Sequence, residues 1–177
     1  YDQSWGAFQG HEHLGFAPLF GHQYSHVWVD FRGLQDDYMR GRGIDYFENS
    51  RRATLVQQQY AVRNPMAFAG YGQNFWGLTA SDGPGWTVRK VAGVERYFFD
   101  YVARGVPYGP DDGTVAPWAV VASLPFAPEI LAAASYVGSG RLYHANLHQI
   151  DYSNLLVGII DALPGALPAI FMPFRSS

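Results

Sequence analysis

The sequence has no cysteine, few charged residues and no long apolar run. The absence of cysteine excludes disulfide bonds, a thiolate nucleophile and cysteine-ligated zinc. Charged residues make up 15% of the 177 positions, and the net charge is -3. Because the basic residues are scattered along the sequence, we expect no basic surface for nucleic acid. No apolar stretch approaches the roughly 18 residues of a membrane span, and no signal peptide is visible.

The aromatic content of the chain is high. They make up 16% of the chain, within a hydrophobic content of 48%. Many aromatic side chains combined with few charges argue against disorder, and a chain of this length can bury the core of one domain. We therefore expect one folded domain.

Residues 18–32 are predicted to form a helix around which the domain is organised. Within it His22, His26 and Asp30 recur at every fourth position and would share one face, among apolar and aromatic neighbours. Burying two imidazoles and a carboxylate costs free energy unless they are paired. This row is either a satisfied network in the core or the wall of a site.

The remaining pattern predicts a mainly α protein with long loops rich in glycine and aromatic residues. Residues 1–17 read as a loop or broken helix, and residues 34–43 as a polar loop. The clearest helix covers residues 45–63 and ends at Asn64-Pro65. The other expected elements are loops at 70–86 and 107–117, a short extended pair at 87–94, and helices at 117–123, 128–137 and 153–163.

The loop at 70–86 and the scattered carboxyl groups favour chemistry on sugars. Aromatic rings such as Trp76 bind the apolar faces of sugars, although such rings can equally fill a core. Glycosidic cleavage needs two carboxyl groups, one acting as acid and the other as base or nucleophile. The available carboxyl groups in suggestive settings are Glu12, Asp30, Glu48, Asp82 and Asp112.

Two other classes of function compete with a glycosidase. A metalloprotein could use the histidines at positions 11, 13, 22 and 26 with Asp30, but the HxxxH spacing is generic and HExxH is absent. A carbohydrate-binding or structural α domain without catalysis is the third class. A serine hydrolase is disfavoured because no G-x-S-x-G occurs, and no P-loop is present.

Four ordered blocks resemble the bacterial glucoamylase-like domain family. They are PLFGHQYSHVWVDFRG, MRGRGIDYFENSRRAT, GYGQNFWGLTASDGPG and DDGTVAPWAVVASLPFAPE. The resemblance spans about residues 11–130. It implies an (α/α) toroid, a six-hairpin barrel related to endo-β-1,2-glucanases and to the transglycosylase domain of cyclic β-1,2-glucan synthases.

The resemblance implies hydrolysis of internal bonds in β-1,2-glucan, with no metal or other cofactor, in a bacterial periplasmic or secreted protein. Asp30 or Asp82 would supply one catalytic carboxyl group, with Glu12 as a further candidate. A glucan is the expected partner, and neither nucleic acid nor a membrane is expected to be one. The expected substrate-binding residues are His22, Tyr24, His26, Arg32, Trp76 and Asp112.

The chain departs from the family pattern in three respects. Because a complete toroid needs about twelve helices, we expect this chain to be its C-terminal part. Gln73 stands where the resemblance leads us to expect an acidic residue. A glycine-aromatic block expected after Val137 is absent, so we divide the chain into a partial catalytic domain at 1–140 and an unassigned segment at 141–177.

Overall fold

A computed structural model describes residues 4–91 and 93–132 of the chain. Short strands, one long helix and several single turns of helix alternate along this part. The strands are β1 (Trp5–Phe8), β2 (His11–Leu14), β3 (Ala80–Ser81), β4 (Thr87–Val91), β5 (Val94–Phe98) and β6 (Val102–Ala103). The α-helices are α1 (Asp37–Arg42), α2 (Tyr46–Arg63) and α3 (Pro117–Val121), and 3-10 turns cover Leu19–His22, Tyr24–Val27 and Pro128–Ile130.

Helix α2 confirms the prediction of a helix that ends at Asn64-Pro65. Its N-cap is Asp45, whose side chain accepts a hydrogen bond of 2.7 Å from the backbone N–H of Glu48. At the other end Asn64 adopts the left-handed conformation, with φ 44°, that commonly closes a helix. The helix packs against β2 and the Leu19–His22 turn, so it forms the support on which the N-terminal elements rest.

The first 17 residues contain a β-hairpin, so the prediction of a loop or broken helix was wrong. Strands β1 and β2 pair in antiparallel register from Trp5 opposite Leu14 to Phe8 opposite His11. The two residues between them, Gln9 and Gly10, both have positive φ, at 49° and 89°. That geometry matches the twist of antiparallel strands, and glutamine is an uncommon residue in it. The turn was therefore not recognised.

The helix predicted for residues 18–32 was also wrong. This segment forms two separate 3-10 turns followed by irregular chain. Distant parts of the chain hold it: the Phe20 N–H donates to Thr79 Oγ1 at 3.1 Å, and the Gln23 amide donates to the Ala119 carbonyl oxygen at 2.9 Å. Because these bonds join residues that are far apart in the sequence, the periodicity of residues 18–32 does not predict their conformation.

The polar loop predicted at 34–43 contains helix α1. The Asp36 side chain accepts a hydrogen bond of 2.8 Å from the Met39 N–H and caps the helix. Gly43, with φ 72°, closes it in the left-handed conformation. The capping residues were present in the sequence, but the two glycines led to the wrong prediction.

Two predictions in the second half of the described chain are confirmed. Strands β4 and β5 form the extended pair expected near residues 87–94, and α3 begins with Pro117 in its first turn. Pro128 likewise opens a 3-10 turn. The rest of the helix predicted at 128–137, the helix at 153–163 and the segment 141–177 lie outside the described residues.

The core joins α2, the 70–81 segment and α3. Its largest members include Tyr60, Tyr71, Phe75, Trp76 and Trp118. The mainly α prediction is too simple for the described residues, because they also form three two-stranded sheets. Within residues 4–91 and 93–132, no helix combines the length and apolar character needed to cross a membrane.

Candidate functional site

A cleft of about 430 Å³ opens between the β1–β2 hairpin, the 3-10 turns and the first half of α2. Its volume lies in the lower part of the range of about 300–1,000 Å³ that is usual for small-molecule sites. The lining combines aromatic, hydroxyl, amide and imidazole side chains. The lining residues are Ser4, Leu14, Gly15, Phe16, Gly21, His22, Ser25, His26, Phe31, Tyr46, Asn49 and Ser50.

His22 has the least satisfied imidazole at the cleft. The residue is 8% exposed, and its Nε2 atom has no hydrogen-bond partner among the described residues. Burial lowers the pKa of His22 to about 4, while an interaction with the Phe16 carbonyl acts in the opposite direction. The ring is therefore neutral at pH 7.

His26 is the second imidazole at the cleft, and its hydrogen bonds define its tautomer. The Ser50 hydroxyl donates to the Tyr46 carbonyl at 3.1 Å, so its oxygen accepts the bond of 2.9 Å to His26 Nε2. Nε2 therefore carries the proton, and Nδ1 is the acceptor. Burial lowers the pKa of His26 to about 4 despite the nearby charge of Asp30.

His13 lies behind His22, with the two ring centres 6.1 Å apart. It is 1% exposed, and within residues 4–91 and 93–132 no group forms a hydrogen bond with its Nδ1 atom. Burial lowers the pKa of His13 to about 4. Three neutral imidazoles are thus gathered around one end of α2, where protonation is opposed chiefly by the loss of solvent.

We expect the free energy of unfolding to fall as the pH drops from about 6.5 to about 4. A histidine whose pKa is lowered by folding is protonated first in the unfolded chain, so acid favours unfolding within this window. Each such group contributes a slope of up to about 1.4 kcal/mol per pH unit. Urea unfolding at several pH values measures the slope, which should become shallower in His22→Leu. An unchanged slope would contradict the neutral state of the buried ring.

The predicted catalytic carboxyl groups are all exposed, and none lines the cleft. Glu12 lies on β2, and Asp82 follows β3. Asp30 forms an ion pair of 3.5 Å with Arg32, and its charge acts on His26. Asp30 is therefore the candidate with a direct electrostatic connection to a residue of the cleft. The structure does not bring His22, His26 and Asp30 onto one helical face.

The predicted substrate-binding residues fall into three environments. His22 and His26 line the cleft. Tyr24 and Arg32 are exposed, and the Arg32 guanidinium lies 5.3 Å from the ring centre of Phe47. Trp76 is 2% exposed and belongs to the hydrophobic core, which was the alternative reading of that loop.

Asp112 is buried, and it holds a structural ion pair rather than facing a cleft. Its two carboxylate oxygens each accept a hydrogen bond of 2.8 Å from Arg104, which is itself fully buried. The charge of Arg104 and the hydrogen bonds to Asp112 outweigh burial and lower the pKa of this carboxyl group. The described contacts of Asp112 are thus structural, and its predicted contact with substrate stays a prediction.

Sequence reasoning missed residues both in the buried ion pair and in the cleft. Arg104 received no role, although it also donates to the carbonyls of Ser81, Phe99 and Asp100. Asn49 and Ser50 of α2 line the cleft and are buried. Polar residues on the buried face of a periodic helix are the sequence signal that could have identified them.

The histidine-rich segment does not form a metal-binding arrangement. Among residues 4–91 and 93–132, no group of three or more His, Asp or Glu side chains is placed to hold one ion. His11, His13, His22, His26 and Asp30 all lie in this part of the chain. The metalloprotein hypothesis therefore gains no support from the geometry.

A model of the Glycoamylase family, described as "Putative glucoamylase", matches residues 1–144. The chain is 32% identical over 113 residues to an exo beta-1,2-glucooligosaccharide sophorohydrolase (non-reducing end) of Parabacteroides distasonis. The aligned part is 64% of this chain and 13% of that protein.

Solved structures share the fold. A structure described as a putative glucoamylase from Bacteroides uniformis superposes with a TM-score of 0.67 at 28% identity, covering 96% of this chain and 42% of that one. A β-1,2-glucanase from Parabacteroides distasonis gives a TM-score of 0.60 at 28% identity, covering 78% of this chain and 18% of that one. The chain therefore spans less than half the length of each of these relatives.

Proposed function

Because the chain belongs to the Glycoamylase family, we propose that it is a glycoside hydrolase, or part of one, that acts on β-1,2-linked glucan. The match over residues 1–144 confirms the resemblance seen in the four sequence blocks. The observation that carries the substrate is the 32% identity to a relative named for its action on β-1,2-glucooligosaccharides.

We extend the proposal to architecture and location. The described elements, with α2 at their centre, would form part of an (α/α) toroid, to which residues 1–140 contribute. The overlay on longer structures of this kind supports this arrangement. A periplasmic or secreted location stays a prediction.

Asp30 is the carboxyl group that we assign to the ionised role in bond cleavage. Its carboxylate lies 3.5 Å from the Arg32 guanidinium, and the role assigned to it is that of the base or nucleophile in glycosidic cleavage. Its influence on His26 links it to the cleft. We assign the role of the acid to Asp82 or Glu12. Neither lines the cleft, so substitution experiments decide between them.

The proposed reaction is hydrolysis of internal bonds rather than release of disaccharides from an end. The cleft supports this choice because its rim is exposed: Phe16 retains 50% of its surface, and Ser25 is also exposed. A rim open to solvent is compatible with a glucan that continues beyond the bound rings.

Incubation of the purified chain with linear β-1,2-glucan is expected to give a ladder of short oligosaccharides on chromatography. Sophorose as the sole early product would contradict internal cleavage and support action from an end. Linear β-1,3-glucan is the matched control, and it should stay intact. Absence of cleavage by a folded chain, as judged by circular dichroism, would contradict the proposed activity of this chain.

Carbohydrate binding without catalysis is a second candidate function. It is favoured by the lining of the cleft, where none of the described residues is Asp or Glu. Sugar binding in the absence of cleavage would support it.

A further inference from the structure

The side chain that the β1–β2 hairpin buries most deeply is a histidine. His13 on β2 is fully buried, whereas the other residues of the two strands are partly buried or exposed. Among the residues that the structure describes, the hydrophobic core takes none from either strand. A two-stranded hairpin is only marginally stable by itself, so its stability depends on what it packs against. Here an imidazole occupies the place that an apolar side chain usually has.

His13 lies between aromatic rings, in a setting that suits its neutral form. Its ring meets the Phe8 ring edge to face, with centres 5.3 Å apart, and lies 6.1 Å from the ring of His22 on the neighbouring 3-10 turn. Burial is the main cause that lowers the pKa of His13 to about 4, and an interaction with the His11 backbone acts in the opposite direction. The imidazole is therefore held without a proton as long as the hairpin stays in place.

The charges around His13 also disfavour its protonation. The charges of Arg52 and of His11, when protonated, oppose it, while the Glu48 carboxylate is already paired with Arg52 at 2.7 Å. The titratable groups of the elements packed around His13 are His11 and Glu12 on β2, Glu48, Arg51 and Arg52 on α2, and His22 on the 3-10 turn, whereas β1 carries none. A proton on His13 would therefore add a buried positive charge near Arg52 instead of completing an ion pair.

The hairpin is attached to α2 by contacts outside the hydrophobic core. Asn49 accepts from the Leu14 N–H at 2.8 Å and donates to the Leu14 carbonyl at 3.2 Å, and the Arg52 guanidinium donates to the Glu12 carbonyl at 2.9 Å. Because the core does not include these residues, the hairpin can detach while the core stays packed. Local openings of this kind need less free energy than global unfolding.

We propose that the β1–β2 hairpin is an acid-sensitive wall of the cleft, which protonation of His13 releases from α2 while the core stays folded. Ser4, Leu14 and Gly15 lie at the open end of the hairpin and line the cleft, so release removes one of its sides. The imidazole must leave its buried position to take up a proton, so the wall is held at neutral pH and released in acid. This inference does not depend on sugar chemistry, and it stands or falls separately from the proposed function.

Hydrogen exchange of the full chain at pH 7 and pH 5, corrected for the intrinsic rate at each pH, tests the release. The reporters are the Leu14 N–H and the Gly15 N–H, which donates to the Ser4 carbonyl at 2.7 Å beside the cleft. The pKa of His13 changes from about 4 in the closed state to the ordinary 6.5 in the open state, so the protection factors of these amides should fall about 20-fold between pH 7 and pH 5.

The same experiment separates release of the hairpin from unfolding of the whole domain. Amides in the middle of α2, such as that of Val56 in the buried face, should be more strongly protected than the hairpin at both pH values. Equal protection of the hairpin and α2 would show that they open together and would overturn the proposal. Hairpin protection that does not change with pH would overturn it as well.

His13→Phe keeps a buried ring that cannot bind a proton. We expect its hairpin protection factors to change by less than about twofold between pH 7 and pH 5. His11→Gln is the matched control, because His11 lies two positions away on the same strand but is only partly buried, and it should keep most of the pH dependence. His13→Gln replaces His13→Phe if the larger ring prevents folding. A wild-type response to pH in both His13 variants would contradict the role of this imidazole.

Discussion

Asp112→Asn is expected to lower the free energy of unfolding by about 3 kcal/mol, measured by urea denaturation at pH 7. The substitution keeps the shape of the side chain and removes the charge that opposes Arg104, where both side chains have no exposed surface. It also places an amide N–H against guanidinium N–H groups, since Arg104 donates to both carboxylate oxygens. The arginine would then stay buried without a counter-charge.

The size of the effect is limited by the other partners of Arg104. Its guanidinium also donates to the Ser81 carbonyl at 2.6 Å and to the Phe99 carbonyl at 3.1 Å, so part of its charge stays solvated by peptide groups. This is why we expect the lower end of the range of about 3–5 kcal/mol for broken buried pairs.

Glu48→Gln is the matched control. Glu48 pairs with Arg52 at 2.7 Å, but the two side chains retain 34% and 27% of their surface. We expect a loss below about 1 kcal/mol there, because solvent screens an exposed pair. Similar losses for the two variants would show that burial does not set the strength of the Asp112–Arg104 pair.

The difference between the wild type and Asp112→Asn should disappear in acid. Because the pKa of Asp112 is lowered in the folded chain, its contribution is present above the ordinary carboxyl pKa of about 4 and is lost as the pH falls through the lowered value. A difference that persisted to the lowest pH would contradict the charged state of this carboxyl group.

Asp30→Asn is expected to lower turnover of β-1,2-glucan by about 10²–10⁴-fold, the usual contribution of a positioned acid or base. The asparagine side chain cannot titrate, whereas the loop should keep its conformation because the amide oxygen can still accept from the Arg32 N–H, now at 3.1 Å. The readout is the initial rate of reducing-end formation, with unfolding checked in parallel.

Asp37→Asn is the control for Asp30→Asn. Asp37 is likewise an exposed carboxyl group beside an arginine, at 3.7 Å from Arg40, and it does not line the cleft. We expect its substitution to leave turnover unchanged, and Asp82→Asn provides the second catalytic test. If both Asp30→Asn and Asp82→Asn retained full turnover in a folded chain, the carboxyl assignment would be wrong.

The sequence predicted those elements whose determinants are local. Helix α2 carries its own cap at Asp45 and its own end at Asn64-Pro65, and α3 begins at a proline suited to the first turn. The hairpin of β4 and β5 likewise follows from alternation within a short stretch. In each case neighbouring residues decide the conformation.

The site was predicted less well because distant contacts create it. The spacing of His22 and His26 suggested one helical face, yet they reach the same cleft from two 3-10 turns. The residues around Asp112 in the sequence do not indicate that Arg104, eight positions away, is its partner. Pairing between buried charges depends on the fold, and local pattern does not encode it.

The side-chain amide of Gln23 links the cleft to the far end of the described chain. It donates to the Ala119 carbonyl, 96 positions away, and to Ser123 Oγ, 100 positions away. A ribosome adding about 5–20 residues per second must therefore work for several seconds after Gln23 is made before this anchor can form. The chain between His22 and His26 can adopt this conformation only after α3 has been synthesised. We therefore expect the cleft to be among the last features to become ordered during synthesis.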